Sequence, residues 1–306
     1  MTGIRRADRE TFIPGCTALD VTLDTGVTLR VATGGDGPPL LLLHGHPQTH
    51  ATWREVAPEL ARHYTVIAPD LRGYGDSGKP ASDAEHAPYS KRAMAAEQVE
   101  LMRLLGHTEF PVAGHDRGAR VAHRMALDHE DAVRRLAVLD IAPTATMCRR
   151  TDRVFATRYF WWFFLIQPAP LPETMIAGAT EEYLRSHLRG QSGTEGVPAP
   201  ELVEEYLRCY RDPATVHAVC EDYRAAAGID LEHDETDRRS GKLLRRPLLA
   251  LWGEHGTVGR LYDVLDTWRE VSAAEVTGSS LPCGHLVQEE RPGDLTERLL
   301  AFLTVR

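Results

Sequence analysis

The sequence predicts an α/β fold: a mostly parallel central sheet flanked by helices, with an inserted helical cap. Three observations carry this. The run PLLLLHGHP at 39–47 is continuously apolar at its start, as in a strand buried on both faces. Strand-like and helix-like segments then alternate as far as about residue 144, the rhythm of a parallel sheet with crossover helices. That rhythm stops over 144–244 and resumes at 245, so the chain divides into a first core part (1–143), a cap (144–244) and a second core part (245–306).

Taken in order, VTLDTGVTLRVATGG at 21–35 alternates around Thr25-Gly26 and predicts an opening hairpin. ATWREVAPELARH predicts a helix, YTVIAPD a strand, and SKRAMAAEQVELMRLLG a helix closed by Gly106. FPVAGHD predicts a strand, RGARVAHRMALDH a helix and VRRLAVLDIAP a strand. After the cap, RRPLLALWGEH and AAEVTGSSLPCGH read as strands, with LYDVLDTWREV and DLTERLLAFL as helices. A helical insertion at this point is placed to cover the carboxyl ends of the strands, where open α/β sheets bind ligands.

Composition narrows the function. A formal charge of −9 argues against nucleic acid as a partner, because phosphates select basic surfaces. Five scattered cysteines without a CxxC pair suggest neither a disulfide framework nor a zinc site. The N-terminal stretch lacks the apolar core of a signal peptide, and no run approaches the length of a membrane span. The expected location is the cytoplasm. No cofactor or metal is expected: HExxH is missing, and the histidines near 44–50 fall in a loop with another use.

The chemistry is concentrated in GHDRG at 114–118, which has the form Gly-x-nucleophile-x-Gly on a predicted strand-to-helix turn. Asp116 occupies the nucleophile position. An aspartate is ionised at neutral pH and needs no base to activate it. By attacking a saturated carbon it forms an alkyl ester that water can cleave, whereas a serine would form a stable ether. An aspartate here therefore points to carbon–halogen or epoxide opening. The second step needs a base, and His285, after the last predicted strand, stands where the chain order nucleophile, acid, histidine places one. Its orienting acid is either Asp140, ending the apolar run LAVLD, or Glu254 in LWGEHG; the apolar run favours Asp140 as a buried carboxylate in need of a partner. The backbone amides of His46 and Arg117 are the candidate oxyanion donors.

HGHPQTHATW, GYGDSGKP, PYSKRAMA, AGHDRGAR, LAVLDIAPT, FLIQPAPLPE, CEDYRAAA, LEHDETD and LALWG together resemble the fluoroacetate (haloacetate) dehalogenases of the α/β-hydrolase superfamily, over nearly the whole chain. GHDRGAR and QPAPLPE are the specific strings; GYGDSGKP is shared with epoxide hydrolases. The resemblance implies Asp116 as nucleophile, His285 as base, Asp140 as its acid and a possible homodimer. It also implies Arg117 and Arg120 as a clamp for the carboxylate of a small-molecule acid, a role suited to guanidinium groups. The halide pocket departs from the pattern. Trp161 stands at the family's histidine, Trp162 at its tryptophan and Tyr223 at its tyrosine, while His46 replaces an apolar aromatic. Indole N–H and phenol O–H still donate, but fluoride needs closer donors than chloride or bromide. The alternatives are an epoxide hydrolase, with Tyr159, Tyr183, Tyr206 and Tyr210 available as acids, or a hydrolase-like enzyme for a larger carboxylic acid.

Overall fold

In the computed structural model, which describes residues 3–304, nine strands form one sheet in the order β1-β2-β3-β5-β4-β6-β7-β8-β9. They are β1 Gly3–Arg6, β2 Thr17–Thr22, β3 Thr28–Gly34, β4 Pro39–Leu43, β5 Thr65–Pro69, β6 Phe110–His115, β7 Val133–Leu139, β8 Leu248–Gly253 and β9 Val276–Leu281. The first three strands and the β3–β5 pair run antiparallel, and β5 through β9 are parallel.

The apolar run of β4 is buried on both faces, as its composition requires. Leu41 and Leu43 pack in one hydrophobic cluster, while Leu40 and Leu42 pack in the other, on the opposite side of the sheet. The chain runs from β4 out to β5 on one side, then returns to place β6 on the other. This reversal makes the β4–β6 crevice a ligand position. In register, Leu43 lies beside Gly114, His115 beside Leu139, and Leu139 beside Leu251, so the loops that follow β4, β6, β7 and β8 leave the sheet at one edge.

Two expectations are corrected, and one strand had not been foreseen. The helix expected over 51–63 is instead a 3-10 turn, His50–Trp53, and a single α turn, Ala57–Leu60, because Pro58 can enter a helix only at its start. The helix expected over 261–271 breaks at Tyr262, which is extended, giving Thr257–Leu261 and Val264–Arg269. β1, whose residues are all exposed and do not alternate, had no pattern to announce it. Between Leu139 and Leu248 the described residues form eight helices and no strand, from Thr144–Arg149 to Ile229–Ser240. Among the described residues, no helix is long and apolar enough to cross a membrane.

Candidate active site

The helix Asp116–Asp128 follows β6 without a loop, and the turn is tight enough to force Asp116 to a positive φ of 45°. Only small neighbours permit it. A Cβ on Gly114 would meet the backbone of Ala119 at 2.6 Å, and one on Gly118 would meet the carbonyl oxygen of His44 at 2.4 Å. The strain holds the Asp116 carboxylate up at the carboxyl edge of the sheet, a common feature of functional positions.

Asp140 leaves the end of β7, also at positive φ (50°). It is fully buried and accepts the Gly253 amide N–H at 2.9 Å on one oxygen and His285 Nδ1–H at 2.5 Å on the other. Glu254 lies exposed, so the geometry chooses Asp140 as the partner of His285. Asp116, His285 and Asp140 are thus gathered from three strand ends. His115, adjacent to the turn, donates from Nε2 to the His285 carbonyl at 2.8 Å and sets the histidine loop.

On the other side of Asp116, the His46 amide N–H donates to its Oδ2 at 3.1 Å. Arg117 N–H lies in the first turn of the helix, where amides have no intrahelical acceptor. The His46 amide thus borders the carboxylate, and the Arg117 amide follows Asp116 in the chain. His44 accepts the Leu71 amide and His50 bonds Asp70, so the neighbouring histidines are occupied separately.

Charge at the site is buried and mostly matched. Burial alone would raise the Asp116 pKa, but the charges of His285, Arg120, His115 and Arg117 outweigh it and hold the carboxyl below its ordinary range. Burial alone would lower the His285 pKa, yet its hydrogen bond to Asp140 and the charges of Asp140 and Asp116 raise it. Burial and the nearby Arg117 charge keep the His46 pKa down at about 3, so its side chain is neutral. Its Nδ1 bonds Tyr210 Oη at 2.9 Å.

The two arginines differ. Arg117 donates from Nε and Nη2 to Asp222 at 2.7 and 2.8 Å and lies over the Tyr223 ring at 4.2 Å, leaving Nη1 without a partner. Asp222 also takes Lys91 Nζ and Tyr74 Oη, a buried knot on which sequence reasoning was silent. Arg120, one turn further on the same helix face, donates to the Ala142 carbonyl at 3.2 Å, Thr144 Oγ1 at 2.8 Å and Met147 Sδ at 3.3 Å. It lies over the Trp162 ring at 4.9 Å and leaves Nε unpartnered. Among the described residues no carboxylate forms an ion pair with it.

The expected halide residues split. Trp162 and Tyr223 line one cavity of about 210 Å³ together with Arg117, and Trp162 Nε1 is buried without a partner. Trp161 instead packs between Tyr159, at 4.8 Å between ring centroids, and His187, at 4.5 Å. His187, absent from the sequence-based set, also reaches the His46 ring at 4.8 Å, and both its nitrogens are buried and unpartnered.

Comparison with known proteins gives the family of the chain. The family model described as the alpha/beta hydrolase fold matches residues 38–292. The chain is 46% identical to a fluoroacetate dehalogenase of Burkholderia sp., covering 92% of both proteins. It is 34% identical to a soluble epoxide hydrolase of Corynebacterium sp. (strain C12), covering 90% of this chain and 94% of that one. A crystal structure of a Salmonella enterica protein, provisionally described as an acyltransferase, matches with a TM-score of 0.95 and 56% identity over 97% of this chain and 98% of that one.

Proposed function

The chain belongs to the α/β-hydrolase fold family, and from that premise we propose that it is a hydrolytic dehalogenase of 2-haloacids, with residues 144–244 as its cap. The observation that carries the reading is Arg120, a buried guanidinium that feels the Asp116 charge but makes no contact ion pair among the described residues. A buried cation calls for an anion, and a substrate carboxylate supplies it. Arg117 Nη1 and Arg120 Nε are the free donors, so the clamp consists of one N–H from each arginine rather than a paired fork from either.

With the acid so held, Asp116 attacks the carbon bearing the halogen. The new C–O bond forms as the carbon–halogen bond breaks, and halide leaves with the electron pair. Trp162 Nε1 and Tyr223 are its donors. His285 Nε2 then takes a proton from water, whose oxygen adds to the ester carbonyl of Asp116. The amides of His46 and Arg117 hold the resulting oxyanion, a contribution of roughly 3–4 kcal/mol per donor in related sites. Collapse releases the 2-hydroxyacid, which takes the proton back from His285, and the Asp116 carboxylate is restored.

The relationship to a fluoroacetate dehalogenase supports this reading. The relationship to an epoxide hydrolase shares the aspartate chemistry, but an epoxide offers Arg120 no anion. The test is halide release from fluoro-, chloro- and bromoacetate, with Asp116→Ala as control. Release that depends on Asp116 is the expected result, and no release of any halide refutes it.

A further inference from the structure

A second cavity of about 630 Å³ lies among the helices of 144–244, lined by Phe160, Trp161, Ile176, Tyr183, Ser186 and His187 among others. Its size falls within the ~300–1,000 Å³ of sites that enclose a drug-sized ligand, whereas an acetate-sized acid fills only a few water volumes of ~30 Å³ each. Two of its lining residues also face the catalytic set. His187 meets the His46 ring and feels the charges of Asp116 and His285, and Trp161 contacts His187. His187 and, behind it, His46 thus stand between the cavity and Asp116, while Trp161 also shares a smaller pocket with His285.

His187 gives that boundary a polar point. It is 5% exposed, and neither ring nitrogen has a hydrogen-bond partner. Such a group is destabilising unless something pairs with it. Around Asp116 the site thus presents cations on one side, and on the other a single imidazole followed by aromatic and aliphatic walls. That sequence of environments matches an amphiphilic acid, with its carboxylate at Arg117 and Arg120 and its apolar part in the cavity.

Resting on the dehalogenase reading, we infer that this cavity binds the apolar substituent of a 2-haloacid longer than haloacetate, the substituent displacing the Trp161–His187 ring contact that stands at its inner wall. Trp161 and His187 act as specificity residues, and the preferred substrates are 2-haloalkanoic or 2-haloarylalkanoic acids.

The experiment follows kcat/KM for halide release along bromoacetate, 2-bromobutanoate, 2-bromohexanoate and 2-bromooctanoate. A methylene in a hydrophobic pocket is worth about tenfold or more, so the wild type gains at least tenfold between the first and the longer acids. Ser186→Phe, on the cavity wall, removes that gain and leaves bromoacetate within about twofold, since an exposed helical surface position of this kind is tolerant. Gly190→Leu, where an added Cβ meets nothing within 4 Å, is the second filling variant. A flat or falling profile overturns the inference, as does a gain that both variants retain. So does a change in assembly size in Ser186→Phe with an unaltered profile, which would mean a second copy of the chain covers the cavity. No halide from any acid refutes the dehalogenase reading instead. Calorimetric binding of unreactive hexanoate against acetate then decides the cavity: tighter hexanoate binding, lost in Ser186→Phe, upholds it, and equal binding overturns it.

Discussion

Arg117 and Asp222 form a forked ion pair, Nε and Nη2 to the two carboxylate oxygens at 2.7 and 2.8 Å, both residues essentially without solvent contact. The pair fastens the nucleophile turn to the helix Pro213–Ala227, 105 residues away in the chain. It also aims the remaining Arg117 nitrogen, Nη1, so the arginine is ordered before any substrate arrives.

Asp222→Ala therefore strands two buried cations, Arg117 and Lys91. Breaking a buried pair from one side costs about 3–5 kcal/mol, and the variant should lose that much stability in denaturant unfolding. Asp222→Asn keeps a hydrogen bond acceptor and should lose less, with a raised KM for bromoacetate. Unfolding midpoints equal to wild type for both variants would refute the role of the knot.

Arg120→Gln tests the anion argument. A hydrogen bond to a charged group is worth roughly 1.5–3 kcal/mol, so kcat/KM for bromoacetate should fall between about tenfold and 150-fold. The neutral analogue bromoacetamide should change little. An equal loss on both would show that Arg120 supports the fold around Asp116 rather than the carboxylate.

His285→Gln should separate the two halves of the reaction. Asp116 needs no base for displacement, so the variant releases one halide per protein and then stops. Intact mass spectrometry should find the protein heavier by one carboxymethyl group, and a peptide digest should place it on Asp116. Absence of the burst would mean that His285 acts earlier than proposed.

The pH dependence follows from the same pair of groups. Asp116 stays ionised because neighbouring positive charges outweigh its burial, so kcat/KM, which ends at halide departure, should be flat across the acid range where the fold survives. On the proposed mechanism kcat requires the neutral form of His285, and burial, which lowers its pKa, is opposed by Asp140. Raising the pH through that pKa frees the base, so kcat rises with pH. Part of the upward support comes from the Asp116 charge and vanishes in the ester, while the Asp140 part remains. Asp140→Asn should move the kcat limb to lower pH and depress its plateau. A limb that stays in place would exclude Asp140 as the orienting acid.

The sheet and the nucleophile turn were legible because they depend on local pattern. Leu40–Leu43 must be buried on both faces, and Gly114 and Gly118 border Asp116 in sequence as in space. Asp140 could be preferred over Glu254 since an acid ending an apolar run needs a partner, and its partner is His285. Asp222 was illegible: within CEDYR nothing marks which carboxylate turns inward, and its partners Arg117, Lys91 and Tyr74 come from distant elements. His187 was hidden likewise, because a histidine in a polar helix acquires meaning only from the His46 and Trp161 rings against it. β1 depends on pairing with β2 rather than on any alternation of its own.

Trp161 is the remaining departure with a chemical consequence. Its ring is held by Tyr159 and His187, and it lines the cavity of about 630 Å³ rather than the one shared by Arg117, Trp162 and Tyr223. On the proposed reading, a departing halide therefore meets fewer donors than the resemblance implies. Bromide leaves readily without them; fluoride, a poor leaving group, does not. Trp161→His removes bulk and offers an imidazole N–H from the same backbone position. One added hydrogen bond is worth roughly 0.5–1.5 kcal/mol, close to tenfold at the upper end. The ratio of fluoroacetate to bromoacetate kcat/KM should rise by about that factor, while rates on longer 2-bromoacids change by a different amount because the cavity wall has changed too. An unchanged fluoride-to-bromide ratio would show that position 161 does not address the leaving group at all, leaving Trp162 and Tyr223 to stabilise the halide alone.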